Sequence, residues 1–332
     1  MNKTTNHNSL VQKSIKALPQ QILDGLSQWS TMNIKKIKPK QIIVCGMGGS
    51  ALAADVLRYA LWDQLSLPVV IVNNYQLPAF VAKDSLVIIV SYSGTTEEAA
   101  YCLRLCKQKK FTTVVMTSGN RLARQARGYK FPVWQFVPRY NYSGQPRYGL
   151  GYTLAGIASM LSDVLSRPKI RLDLENSTKR ISVSWPKNAV LAGQLGKQPI
   201  LIVASEHLLG CAHTAANQFN ESSKRFAVSF ALPELNHHLL EGLAAKETKG
   251  WNIIFLESNL YFSRTQKRYL VTQSIVKKLG LRVRRQKFNG SRLVQALSAL
   301  SWSSAFSLEL GQQGGYDAMA IPFVNELKRR LS

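Results

Sequence analysis

Residues 41–62 read QIIVCGMGGSALAADVLRYALW, and the fold follows from this stretch. The run from Gln41 to Cys45 is short, continuous and apolar, the pattern of a parallel strand covered on both faces. It breaks into glycines, and apolar residues then recur at helical spacing from Ala51 to Trp62. A strand turning sharply into a helix through glycine is the opening unit of a parallel α/β sheet. Working outward, the segments 69–72 and 86–90 predict two more buried strands. A helix is expected over 95–109, a strand over 112–117, an edge strand over 131–136 and a helix over 150–165. The polar, basic stretch 166–179 then separates a second round. That round predicts strands over 200–204, 226–230, 253–256 and 281–288, helices over 209–224 and 265–279, and two closing helices. No residue-level repeat joins the halves, yet the alternation repeats. The expected fold class is α/β: two doubly wound, flavodoxin-like parallel-sheet domains with flanking helices, 1–165 and 166–332.

Composition narrows the class of function. With 332 residues and 45% hydrophobic side chains the chain can build a sizeable core without disulfide or metal staples. Cys45, Cys102, Cys106 and Cys211 are too scattered for a disulfide framework or a CxxC zinc site. No H-x-x-x-H or Cys/His cluster occurs, so no metal is expected. The first residues, MNKTTNHNSLVQ, lack the apolar segment of a secretory signal, and no apolar run reaches bilayer-spanning length. The expectation is a cytoplasmic protein with no membrane partner. Charge is the anomaly: 43 Lys and Arg against 18 Asp and Glu give +25. Such a field attracts polyanions. However, no helix-turn-helix or RNP-like motif accompanies it, so a dedicated nucleic-acid module is not expected.

In doubly wound sheets ligands sit beyond the carboxyl ends of the strands. The first loop there, Gly46-Met47-Gly48-Gly49-Ser50-Ala51, formally satisfies the dinucleotide fingerprint G-x-G-x-x-A. A dinucleotide site also needs an acid for the ribose at the end of the second strand, which here reads Val72-Asn73-Asn74. The second loop, Ser91-Tyr92-Ser93-Gly94-Thr95-Thr96-Glu97-Glu98, places four hydroxyls and a glycine at a strand-to-helix junction. Thr95 with Glu98 would form an ordinary capping box, but one cap needs only one hydroxyl. No Lys follows the glycines, which excludes a nucleoside-triphosphate P-loop. Two such loops suit a monophosphate on a hydroxyl-rich molecule such as a sugar.

At these residues the sequence resembles the sugar isomerase (SIS) domain. With Gln145-Pro146-Arg147, Asn220-Glu221-Ser222-Ser223-Lys224 and Glu234-Leu235-Asn236-His237 in order, it resembles the bifunctional phosphoglucose/phosphomannose isomerase family. The resemblance implies interconversion of glucose 6-phosphate or mannose 6-phosphate with fructose 6-phosphate through a cis-enediol, without a cofactor. It implies Glu221 as the base, His237 as the ring-opening group and Arg147 as the cation beside the enediolate. Gly48, Gly49, Ser50, Ser91, Ser93 and Thr96 correspond to the family's phosphate- and sugar-binding positions. A homodimer is also implied, with the histidine supplied by the partner subunit. Three departures stand out: Thr95 replaces the family Asn, His238-Leu239 replace Asn-Glu, and Pro322 falls where the family has Lys. They define a second expectation, a phosphosugar-binding or regulatory protein whose catalysis has lapsed, with polyanion binding from its basic surface.

Overall fold

The computed structural model describes residues 3–29, 38–181 and 195–331. By backbone proximity the described residues gather into two compact units. One comprises 17–181 with 290–297; the other comprises residues up to 16, the segment to 289 and the chain from 298 onward. We propose that the two strand–helix rounds meet near residue 165.

In the unit containing 17–181, five parallel strands form one sheet: β1 (Gln41–Cys45), β2 (Val69–Val72), β3 (Ser85–Ser91), β4 (Thr112–Thr117) and β5 (Val133–Gln135). Their order is β2-β1-β3-β4-β5, the flavodoxin-like order. Chain direction across the sheet reverses between β1 and β3, which pair in parallel with Cys45 opposite Ile89. The loops leaving those two strands are therefore neighbours, although over forty residues separate them in sequence. Continuous burial of β3 and near-continuous burial of β1 match the apolar runs that predicted them. One face of the sheet packs Ile43, Val87, Ile89 and Val115 against Leu103 and Cys106 of the helix Glu97–Lys109 and Leu122 and Ala126 of the helix Asn120–Gly128. Each such fully buried aliphatic side chain contributes roughly 1.5–3 kcal/mol.

The other unit repeats the plan with four parallel strands, β6 (Ile200–Ala204), β7 (Ala227–Ala231), β8 (Asn252–Ser258) and β9 (Arg282–Phe288), ordered β7-β6-β8-β9. Central β6 is wholly buried, whereas the edge strand β9 carries Arg282, Arg284, Arg285 and Lys287. Charge on an edge strand blocks unwanted strand pairing.

Several boundaries moved for identifiable reasons. The expected strand over 131–136 shortens to Val133–Gln135, because Pro132 has no N–H to give to the ladder. The helix expected from Thr95 begins at Glu97, since the two threonines belong to the loop. The polar stretch after residue 165 contains a helix, Lys169–Thr178, whose buried Ile170, Leu174 and Ser177 lie one turn apart. Two helices, Lys3–Lys16 and Leu18–Trp29, precede the first strand and were not anticipated. No helix among the described residues is long and apolar enough to cross a membrane.

Candidate active site

The first loop is built by close backbone approach. Gly46 N–H donates to Val72 O (3.2 Å), and Asn73 Nδ2 donates to Gly46 O (2.6 Å). Asn73, where a dinucleotide enzyme would place its ribose acid, thus fastens the turn. Gly48 has φ 48°, a left-handed conformation that glycine adopts without steric cost. Gly49 lies flat against the Gln145-Pro146-Arg147 segment: a Cβ there would be 3.3 Å from Arg147 N. The buried Ser50 hydroxyl accepts from Tyr92 N–H (2.9 Å), tying the first loop to the second across β1 and β3. A hydroxyl used in this way retains its own O–H to donate.

In the second loop, buried Ser91 Oγ donates to Thr96 Oγ1 (2.8 Å) and accepts from Gly94 N–H (3.1 Å). Ser93 and Thr95 are exposed at the tip, their hydroxyls 2.9 Å apart. The alternative for this loop, a capping box from Thr95 and Glu98, does not form. Thr96 is the N-cap, and no side chain caps the helix Glu97–Lys109. The first-turn amides and the positive end of that helix consequently face the hydroxyl cluster without a side-chain acceptor, which favours an anion.

Arg147 lies in the short 3-10 turn Pro146–Tyr148 and is only 5% exposed. Its Nη1 donates to Gln145 Oε1 (3.1 Å), and its guanidinium sits 5.2 Å from the Tyr148 ring centre. A polar relay that sequence reading missed supports the segment. Asn141 Nδ2 donates to Tyr92 Oη (2.7 Å) and Gln145 O (3.0 Å), and Ser143 Oγ donates to Asn141 Oδ1 (2.9 Å). Burial pushes the Tyr92 phenol up to about 12, with Asn141 opposing, so it stays a neutral hydroxyl. The only sequence signal was the cluster of Asn, Ser and Gln ahead of Arg147.

Gly119 gives this site a sharp test. A Cβ at Gly119 would fall 1.9 Å from Ser93 O, so the second loop must move if the site is filled. Gly119→Ala is expected to raise the KM for a phosphohexose about tenfold and to cost roughly 1–3 kcal/mol of stability, the usual range for overpacking. Gly128→Ala, where a Cβ meets nothing within 4 Å, is the matched control and should leave KM unchanged.

The remaining candidates belong to the other compact unit. Glu221 is partly buried, two residues before the end of the helix Leu209–Ser223. Behind it, Gln218 is held by Ser304 (2.7 Å) and Ser303 (2.8 Å), and Asn220 makes two bonds to the Ala227 backbone (2.7 and 3.1 Å). Lys224 closes the helix in the left-handed region and donates to the carbonyls of Glu221 and, at 2.6 Å, Ala320. The 316–320 segment is pinned further by His7 Nδ1 to Asp317 Oδ2 (2.7 Å) and Asn8 Oδ1 to Ala318 N–H (3.0 Å). Burial alone would raise the Asp317 carboxyl, but His7 and the Met319 amide bring it below the usual range. His7, to which the sequence assigned no role, is thus a structural partner, and Lys224 is a tether that motif reading left unassigned. Pro322 is exposed at the first position of the helix Pro322–Leu331, a location suited to proline's missing N–H.

His237 ends the 3-10 turn Glu234–His237 and is exposed. Neighbouring Asn236 donates to Thr272 Oγ1 (2.8 Å), and His238 pairs with Glu234 (2.6 Å), leaving the His237 ring directed outward from an anchored turn. The structure therefore brings Gly48, Gly49, Ser50, Ser91, Ser93, Thr96 and Arg147 together within one unit. Glu221 and His237 lie on separate elements of the other. No group of three or more His, Cys, Asp or Glu among the described residues could hold a metal ion.

Comparison with known proteins agrees with this architecture. Residues 37–130 match the model of the SIS domain, and residues 187–331 match that of the bacterial phospho-glucose isomerase C-terminal SIS domain. Two SIS-type domain models thus match successive parts of the chain. It is 27% identical to a bifunctional phosphoglucose/phosphomannose isomerase of Caldicellulosiruptor bescii, over 96% of this chain and 98% of that one. It is 29% identical to the protein of the same name from Pyrobaculum aerophilum, over 88% and 87%. Among solved structures, the C-terminal domain of glucosamine-fructose-6-phosphate aminotransferase from Francisella tularensis superposes with a TM-score of 0.73 at 15% identity, covering 93% of this chain and 97% of that one. Over most of its length the chain is thus similar to proteins named bifunctional phosphoglucose/phosphomannose isomerase.

Proposed function

We propose that the protein is a cofactor-independent aldose–ketose isomerase interconverting glucose 6-phosphate, mannose 6-phosphate or both with fructose 6-phosphate. The observation that carries this reading is the junction at the β1/β3 switch point, where Ser50 is bonded to Tyr92 and Gly49 packs on Arg147. Hydroxyls, helix-start amides and a buried guanidinium thereby share one face, as an anionic, hydroxyl-rich substrate requires. The names of the relatives point to the same substrates.

The chemistry divides among the residues as follows. Ser50, Ser91, Ser93 and Thr96, with the amides of Gly48 and Gly49, hold the phosphate and fix the sugar. His237 gives a proton to the ring oxygen as the hemiacetal opens. Glu221 removes the C2 proton of the aldose and returns it to C1 of the ketose. Between those transfers the charge builds on the enediolate oxygens, where the Arg147 guanidinium stabilises it. We further propose a cytoplasmic homodimer in which each site uses His237 of the second subunit. In an assay coupling fructose 6-phosphate to glucose 6-phosphate dehydrogenase, with NADP⁺ present only for the coupling enzyme, turnover should need no added metal. Tight NAD or FAD binding with no isomerisation would instead restore the dinucleotide reading of the glycine loop.

A further inference from the structure

The opposite edge of the first sheet carries a feature that isomerisation does not use. Because all five strands run parallel, the segments entering them line up along one amino edge. Lys40 directly precedes β1, Lys83 lies two residues before β3, Lys110 two before β4, and Lys130 three before β5. These four strands are consecutive neighbours, so the lysines form a row with a step of about 4.8 Å between strands. All four are exposed. Lys107 and Arg127, near the ends of the two helices that stop at this edge, add to it. Lys107 rests 5.9 Å from the Tyr129 ring centre, and Arg127 donates to neutral Gln135 (2.8 Å). Asp84, before β3, is already paired with Lys40 (3.1 Å), and the sequence holds no Asp or Glu from Ala99 to Leu150.

Two further observations separate this row from an ordinary solvated surface. Lys110 and Lys130 both occupy left-handed helix caps, with φ 55° and 62°. In each cap the next residue, Phe111 or Phe131, donates back to the helix, at 3.0 Å in both cases. Glycine is the usual and less strained residue at such caps, so the backbone gives no reason for lysine at either. In addition, Phe80 stands 53% exposed three residues before Lys83. The row lies at the end of β3 remote from the hydroxyl loops, roughly 20 Å away along the strand, so it does not form the substrate site.

We propose that this amino-edge lysine row binds the phosphate backbone of single-stranded RNA, with Phe80 as a stacking surface for a base. A line of cations with one aromatic matches the combination of charge and stacking used for single strands. A bilayer surface would instead call for a broad apolar face, whereas Phe111 and Phe131 beside the row are partly buried and Phe80 alone of the three is more than half exposed. The recognition is electrostatic and independent of base sequence.

The test is fluorescence anisotropy with a labelled uridine oligonucleotide about 12 nucleotides long, within the site size of single-strand binders. Each phosphate contact contributes about 0.7 to the salt exponent, hence about fivefold in affinity near 0.1 M salt. Lys110→Gly with Lys130→Gly should therefore weaken binding roughly 25-fold and reduce the salt slope by about 1.4. The melting temperature should hold or rise, because glycine suits both caps. Phe80→Ala should lower affinity by about fivefold or more with the slope unchanged. Lys277→Gln with Lys278→Gln removes equal charge from an exposed helix end in the other unit and should leave binding intact. The proposal is overturned if that control loses as much affinity, if no RNA binds at low salt, or if the protein binds phosphatidylglycerol vesicles instead of RNA.

Discussion

Glu221→Gln is expected to lower isomerisation by about 10²–10⁴-fold while phosphohexose affinity stays within a few-fold of wild type, because a positioned base is worth that much in rate. The amide keeps the size of the carboxylate and much of its hydrogen bonding, yet it cannot accept a proton from C2. Its surroundings should survive the change. Asn220 and Gln218 secure the end of this helix through partners other than the Glu221 side chain, and Lys224 grips the Glu221 carbonyl. The measurement is kcat from the coupled assay beside the dissociation constant of a non-reacting hexitol phosphate. Wild-type turnover in the variant would remove Glu221 from the mechanism.

His237→Ala should be similarly inactive on cyclic fructose 6-phosphate, but for a different reason. Its proposed task ends once the ring is open, so exchange of C1 protons in an open-chain analogue should fall far less. The two inactive variants also test where the histidine comes from. If His237 serves the site of the second subunit, mixing Glu221→Gln with His237→Ala should restore activity. In the mixed dimer, one site receives an intact Glu221 from one chain and an intact His237 from the other. Recovery should reach up to about half the wild-type value per mixed dimer. No recovery after demonstrated subunit exchange would mean that each site is completed within one chain.

How far the sequence reaches depends on the kind of contact. Strands buried on both faces declare themselves as apolar runs, which is why 41–45, 86–90 and 200–204 were found nearly to the residue. The helix Lys169–Thr178 was hidden because its buried residues are diluted by charged ones, and burial rather than overall polarity decides whether such a helix packs. In the candidate site, the two Gly/Ser loops could be read directly, since their chemistry is local. The bond from Tyr92 N–H to Ser50 and the Tyr92–Asn141–Ser143 relay join residues 42 to 51 positions apart, and nothing in a linear pattern marks them. The lysine row is the extreme case. Its members are up to 90 positions apart and adjoin only because four parallel strands begin at one edge.

The central claim is that this chain moves a proton between C2 and C1 of a phosphohexose. Proton NMR of fructose 6-phosphate incubated with the wild-type protein in D₂O tests it most directly. Aldose 6-phosphate should appear with deuterium at C2, and fructose 6-phosphate recovered at equilibrium should carry deuterium at C1. Persistence of both C1 protons and no aldose signal, with the sugar phosphate demonstrably bound, would contradict the account and leave a phosphosugar-binding protein in its place.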